Sequence, residues 1–367
     1  MTTVTYTSRR GTYYKGEWSD SNAIEDRLGI YGETKHKITS KLTAVFNARY
    51  DKEEYEYEEQ SYDYNGTVWS LNNVNRDHSF ENFSYRVGAT YQLTSNDTFY
   101  TNISTGFRNP RVYELYAADF NPNRYTANNP DIDTETTINY EIGFRGKKYA
   151  LNNSFRYDIS AYILDTKDII ARNGGTYYSY GSNVYFDNVG DARSKGVELS
   201  LGSDKSKKLA FDFSYTYLDA YYTSHIPFTV DLAPTYRSTG DQTYEINGNQ
   251  LPRTPHHKFD LFTYIKLTPK WKLINEWYWQ SSYYSDETNF VKMPSYGVLN
   301  IQARYNTKLR GKDLEFFVRI DNVTDNQYYR TVYLFSDRSG DGKLDAEDAS
   351  ITVDPGRVYY AGIKYSF

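Results

Sequence analysis

The 367-residue chain carries 42 Lys and Arg against 47 Asp and Glu, a net charge of -5, with no Cys and 41 Tyr. The lack of Cys excludes a disulfide framework, a thiolate zinc site and a Cys nucleophile, and mixed charge without a Lys/Arg block excludes nucleic acid as a partner. A mean hydropathy of -0.77 and the lack of any apolar run of about 18 residues exclude a transmembrane helix, but not a transmembrane β-barrel, where only every second residue faces lipid.

Alternation of apolar and polar residues predicts antiparallel strands of about ten residues along the whole chain. A first strand is predicted at residues 2–9, and about thirteen more between Arg27 and Phe367, the lengths suiting a membrane barrel. In 98–108, Phe99, Thr101, Ile103, Thr105 and Phe107 oppose Tyr100, Asn102, Ser104, Gly106 and Arg108. In 139–145, Tyr140, Ile142 and Phe144 oppose Asn139, Glu141, Gly143 and Arg145. The same pattern recurs at 211–217, 299–305 and 314–321, and it closes the chain at 357–367. Short turns are predicted near 39–41, 95–97, 150–152, 203–207, 269–270 and 309–313. Long polar loops are predicted near 59–79, 109–135, 224–255 and 331–355. Short connections at one rim and long ones at the other are the pattern of an outer-membrane barrel. The fold expected is all-β, one antiparallel transmembrane barrel unit over residues 1–367.

Five segments carry a family resemblance. Ser104-Thr-Gly-Phe-Arg-Asn-Pro110 with Glu114-Leu-Tyr116, Asp133 to Arg145, Asn188-Val-Gly-Asp-Ala-Arg-Ser-Lys-Gly-Val-Glu198, Asp321 to Tyr329, and Pro355-Gly-Arg357 with the aromatic end follow one another in order. Together they resemble the C-terminal part of the β-barrel of TonB-dependent outer-membrane receptors; Thr134 stands where that family commonly has Pro. The resemblance implies about the last 14 of 22 strands, short periplasmic turns and long extracellular loops. It also implies a plug and a signal peptide upstream, and Met1-Thr-Thr-Val-Thr-Tyr6 does not read as a leader. The function it implies is energised uptake of an iron chelate such as a siderophore across a Gram-negative outer membrane. Residues 283–289 before Pro294-Ser-Tyr296 look like siderophore and haem receptors in particular. The implied partners are outer-membrane lipid, the TonB complex through the N-terminal region, the barrel-assembly machinery and the iron chelate. Tyr360, Gly362, Tyr365 and Phe367 resemble the signal read by that machinery. A plugless passive channel and a surface-binding barrel are the alternatives. No residue constellation suggests an enzyme.

Four groups of residues are candidates for binding. Asp337-Arg-Ser-Gly-Asp-Gly-Lys-Leu-Asp-Ala-Glu-Asp348 reads as a calcium loop: Asp337, Ser339, Asp341, Lys343 through its carbonyl, Asp345 and Asp348 hold the ligand positions, with Gly342 at the sharp turn. Asp348 replaces the usual Glu, which weakens bidentate binding; an acidic surface loop is the plain alternative. Tyr177, Tyr178 and Tyr180 could grip an aromatic or chelated ligand or belong to an interfacial girdle, as could Trp277 and Trp279. Arg108, Arg145, Arg304 and Arg319 share the lumen parity, where they would pair with acids such as Glu141, Glu315 and Asp321 or attract an anionic chelate. His256 and His257 are adjacent in a strand and point to opposite faces, so they cannot share one metal.

Overall fold

The computed structural model describes residues 5–8, 11–14, 17–64, 69–116, 128–172, 186–224, 227–231, 241–333, 339, 341, 343 and 345–366. Among them, thirteen strands form one antiparallel sheet in which each strand pairs with the next along the chain. They are β1 (Glu17–Lys37), β2 (Leu42–Tyr64), β3 (Trp69–Gln92), β4 (Asp97–Arg108), β5 (Glu135–Ala150), β6 (Asn153–Lys167) and β7 (Ala192–Ser203). β8 (Leu209–Tyr222), β9 (His257–Lys266), β10 (Trp271–Gln280), β11 (Tyr296–Leu309), β12 (Lys312–Asp321) and β13 (Val358–Tyr365) complete it. No helix among the described residues is long and apolar enough to cross a membrane.

The register turns the sequence alternation into two faces. Tyr91, Phe99, Phe144, Ile159, Leu199, Tyr215, Phe259 and Trp279 lie side by side across β3 to β10. One residue further along β4, the row reads Tyr100, Gly143, Ser160, Glu198, Thr216, Lys258 and Gln280. The first face is apolar and open: Val318 is 53% and Ile363 68% exposed. Large apolar residues left exposed in a continuous band require a non-aqueous neighbour, which for a sheet of this pattern is lipid. Trp277 belongs to this band, with Phe259 edge-on at 5.2 Å.

The polar face is concave. A cavity of about 830 Å³ is bounded by Arg145, Arg156, Asp158, Asp212, Asp260 and Tyr264, which stand on β5, β6, β8 and β9. Its charges are matched locally, as charges drawn away from bulk water require. Arg156 pairs with Asp212 at 3.1 Å, Arg319 with Glu276 at 3.2 Å and with Asp321 at 2.5 Å, and Arg304 with Glu315 at 3.7 Å. Arg145 instead lies over the Tyr100 ring, 5.2 Å from its centroid. Glu141, expected among the acidic partners, takes no part in these pairs.

Three aromatic rings on this face reach over a glycine directly opposite in the next strand. The pairs are Tyr100 on Gly143, Tyr162 on Gly196 and Phe317 on Gly362. A Cβ at these glycines would fall within 2.2 to 2.8 Å of the ring atoms. Here the missing side chain is what lets the ring cover the backbone.

The structure corrects three expectations. Much of residues 59–79, expected to be a loop, continues the ladder: β2 and β3 pair without a break from Leu42 opposite Tyr91 to Tyr64 opposite Trp69. β1, β2 and β3 have 21, 23 and 24 residues, about twice the 9–11 that cross a bilayer. A strand beyond the membrane needs no apolar outward face, so its sequence loses the pattern that marks the membrane part. The strand expected at 2–9 pairs instead with its own continuation, Thr5–Ser8 against Gly11–Tyr14, outside the large sheet. The strand expected to open at Arg27 begins at Glu17.

Candidate functional site

Apart from the link between β2 and β3, the short connections, 38–41, 93–96, 151–152, 204–208, 267–270 and 310–311, lie at one end of the sheet. The long ones, 109–134, 168–191, 223–256, 281–295 and 322–357, lie at the other. Several of these carry ribbons of their own. Ile170–Arg172 pairs with Phe186–Asn188, Pro227–Asp231 with Asp241–Glu245, and Tyr329–Tyr333 with Ser350–Val353. Side-chain clasps fix them to the strand ends.

The first clasp starts at Arg108, the last residue of β4. Its guanidinium donates to Glu114 at 3.0 Å, to Glu135 at 3.3 Å and to the Ile170 carbonyl at 3.0 Å. Glu114 sits in the one-turn helix α1 (Val112–Leu115) and also accepts the Arg111 backbone N–H at 2.8 Å. Glu135 opens β5 and accepts the Ile170 N–H. One guanidinium thus joins three segments far apart in sequence, with the planar donor fork that Arg supplies and Lys does not.

The second clasp is centred on Asn109. Its amide donates to the Glu53 carboxylate at 2.8 Å, and its carbonyl accepts from Asn82 at 2.8 Å and Thr134 at 2.9 Å. Glu53 is 8% exposed and is also held by the Tyr55 hydroxyl and by Arg27. Burial alone would raise its carboxyl, but the Tyr55 and Asn109 donors and the Arg27 charge outweigh this and hold it low. Over this clasp, Leu115, Tyr116 and Ile132 bury against Tyr55, Phe80 and Ile170. Tyr116 stacks on Tyr57, and Arg76 lies over the Tyr116 ring at 5.7 Å.

The third clasp is Asn188. It donates to the carbonyls of Asp133 and Asp168, at 3.1 and 2.7 Å, and accepts the Asp133 N–H at 2.8 Å. At the far side of the rim, the Asn322 side-chain Oδ1 accepts the Asn326 N–H at 3.0 Å, and the Asp325 carboxylate accepts the Arg357 N–H at 2.9 Å. Asn322 and Asp325 adopt left-handed backbone conformations, which Asn and Asp tolerate better than other side chains. Two further small cores, Tyr222 with Ile246 and Tyr283 with Val291, Met293 and Val332, pack the remaining loops. Arg253 ties them, its backbone N–H to the Tyr284 carbonyl at 2.8 Å and its guanidinium to the Val332 carbonyl at 3.2 Å. Burial pushes the Glu287 carboxyl in this region upward, with Asp286 adding to the effect and Arg253 opposing it.

The expected site residues fall at this rim with different results. Arg108 is engaged in the clasp. Tyr177, Tyr178 and Tyr180 lie outside the described residues, as do Asp337, Gly342 and Phe367. In the 337–348 loop, the buried Asp348 accepts the backbone N–H groups of Ser339 at 2.9 Å and Asp345 at 3.0 Å. Asp341 accepts the Lys343 N–H at 2.9 Å, and Asp345 caps the 3-10 turn Ala346–Asp348. Among the described residues no three acidic or imidazole groups converge as a metal set. The His256 ring meets the Leu218 carbonyl at 2.8 Å and the His257 ring the Tyr215 hydroxyl at 2.9 Å, and both rings lie beside Tyr217. Tyr360 and Gly362 face Arg319 and Phe317 across the β12–β13 ladder, and Tyr365 faces Leu314.

The sequence reading missed Glu53 and Asn109. The Asn65-Gly66 dipeptide, a hairpin signal, would have marked 59–79 as a ladder and so placed Glu53 beside the rim.

Comparison with known proteins agrees with this architecture. The probable TonB-dependent siderophore receptor PiuA of Acinetobacter baumannii is 25% identical over 314 residues, covering 86% of this chain and 39% of that protein. The vitamin B12 transporter BtuB of Photobacterium profundum is 24% identical over 260 residues, covering 68% of this chain and 37% of that protein. The chain thus spans about two-fifths of the length of these curated relatives. Among solved structures, the ferric yersiniabactin uptake receptor FyuA of Yersinia pestis superposes with a TM-score of 0.65 at 16% identity, covering 98% of this chain and 48% of that one. The siderophore receptor PiuA of Acinetobacter baumannii gives a TM-score of 0.64 at 22% identity, covering 94% and 43%. These likenesses concern the fold. The family model described as TonB dependent receptor-like, beta-barrel matches residues 2–323, and the chain belongs to that family of Gram-negative outer-membrane barrels.

Proposed function

We propose that the chain forms the loop-bearing barrel wall of an outer-membrane receptor for energised uptake of an iron chelate, of the siderophore class. The observation that carries this reading is the clasped rim. The described parts of the long connections are fastened to the strand ends by Arg108, Asn109 and Asn188, so the rim offers an arriving ligand a built surface. Relatives named as siderophore receptors support the ligand class, while a relative named as a vitamin B12 transporter marks the competing one. TonB, outer-membrane lipid and the barrel-assembly machinery are the partners this reading requires, the last reading Tyr360, Gly362, Tyr365 and Phe367. Deleting the encoding gene is expected to abolish uptake of radiolabelled iron from at least one chelate by iron-starved cells. Undiminished uptake from every chelate offered, together with steady conductance of the purified chain in planar bilayers, would favour a passive channel.

The 337–348 loop is proposed to take calcium at the same rim. Asp348 draws Ser339 and Asp345 together through their N–H groups, which holds the two ends of the acidic segment close. Calorimetric titration should give binding heat that Asp341→Ala removes. A wild-type chain without heat at millimolar calcium would dispose of the site.

A further inference from the structure

The two ends of the sheet carry opposite charge. The six short connections at one end, taken with their flanking residues (35–41, 93–97, 147–152, 204–208, 266–272 and 308–313), hold 14 Lys and Arg against 3 Asp. The long connections at the other end (109–134, 168–191, 223–256, 281–295 and 322–357) hold 10 Lys and Arg against 19 Asp and Glu. In a chain of net charge -5, a third of the 42 basic residues thus gather at one rim. Few of them are neutralised there. Lys205 meets Asp212 at 2.5 Å, and Lys148 meets Asp97 at 3.9 Å. Lys208, Lys270, Lys272, Lys308, Arg310 and Lys312 are exposed and have no acidic partner among the described residues. Like charges gathered this way repel one another and attract a surface of opposite sign.

The same turns expose large aliphatic side chains. Ile38, Leu93, Leu209, Leu267 and Leu309 stand at strand ends, exposed, on the parity of the lipid-facing row. Leu151 tips the remaining turn, 93% exposed, with a left-handed backbone at φ 50°. Neither setting suits Leu; a two-residue hairpin turn ordinarily takes Asn, Asp or Gly at such a position. Trp271, the first residue of β10, lies against Tyr305 with ring centroids 4.9 Å apart. Aromatic pairs of this kind mark the level of lipid headgroups.

We propose that the short-turn rim binds anionic phospholipid headgroups, of the phosphatidylglycerol class, in the leaflet on its side of the membrane. The basic side chains meet the phosphates, and the aliphatic residues beside them rest on the adjoining acyl chains. A soluble acidic protein would match the charge but would leave this aliphatic ring without an apolar neighbour. Continuity of the ring with the lipid-facing band favours lipid. The proposal concerns the wall alone and holds whichever solute the receptor takes.

The test uses the purified full chain in detergent micelles doped with brominated phospholipid, with tryptophan fluorescence as the readout. The fluorescence that Trp271→Phe removes is the share of the rim. At low salt, brominated phosphatidylglycerol should quench that share about threefold more than brominated phosphatidylethanolamine with the same acyl chains. The difference should vanish in 1 M salt, where the screening length falls to about 3 Å. Lys208→Gln, Lys270→Gln, Lys272→Gln and Lys308→Gln combined should abolish it, and Arg at the same four positions should keep it. The salt series on the wild type reads the same attraction without any substitution. Equal quenching of the wild type by the two lipids would overturn the proposal, as would a preference that the four Gln substitutions leave intact. Retention of polyglutamate by a wild type that shows no lipid preference would assign the rim to an acidic protein and overturn the lipid reading.

Discussion

Gly196→Ala should destabilise the barrel wall more than any other single methyl group added to its concave face. A Cβ at this position would lie 2.5 Å from the Tyr217 carbonyl oxygen and 2.7 Å from the Tyr162 hydroxyl. The ring can swing away. The carbonyl cannot, because it belongs to the β7–β8 ladder that pairs Gly196 with Leu218 and Val197 with Tyr217. Overpacking that must move backbone costs about 1–3 kcal/mol, and because the nearest clashing atom is a ladder carbonyl, the upper half of that range is expected here. The urea midpoint of the detergent-folded chain, or its heat-modifiable mobility on a gel, reads the loss. Tyr162→Ala should not rescue it. A Gly196→Ala chain that unfolds at the wild-type urea concentration would remove the steric account of this motif glycine.

Arg108→Leu should act locally rather than globally. It strips the donor from the Glu114 and Glu135 carboxylates and from the Ile170 carbonyl together. Removing one partner of a fully buried pair costs about 3–5 kcal/mol. Arg108 is 36% exposed in its side chain, and water screens part of that loss, so about 2 kcal/mol is the better figure. Amide exchange in 109–135 and at Ile170 should then speed up about thirtyfold, while β8 to β12 keep their protection. Removing both acids in the Arg108→Leu background, as Glu114→Gln with Glu135→Gln, should recover part of it. A uniform rise in exchange over the whole sheet would mean that Arg108 supports the wall itself.

The wall was legible in the sequence where lipid imposes its own demand. Phe99, Ile103, Ile142 and Val197 alternate because a membrane leaves no other place for polar side chains, and the ladder confirms their shared face. The short turns were legible for the same reason, since they interrupt that alternation. Beyond the membrane the rule lapses. Glu54 and Glu56 point outward as readily as Phe46 does, so the extension of β2 and β3 read as loop. Asn109 and Glu53 were illegible for a different reason. Their bond joins positions separated by 56 residues, and nothing local to either announces the other. The family motifs located Arg108, Glu114 and Asn188 without saying what they do. The structure gives the reason: each marks a place where a strand leaves the sheet and its connection must be turned back and fastened.

The rings that lie over glycine carry an evolutionary consequence. Tyr100 with Gly143, Tyr162 with Gly196 and Phe317 with Gly362 each join two strands through one shared volume. A larger residue on one side demands a smaller one on the other, so the members of a pair cannot drift separately. In a deep alignment of homologous barrels these three pairs should mutate in step, ring and glycine exchanging sides or vanishing together. Their neighbours on the lipid-facing side, free to trade one apolar side chain for another, should vary independently.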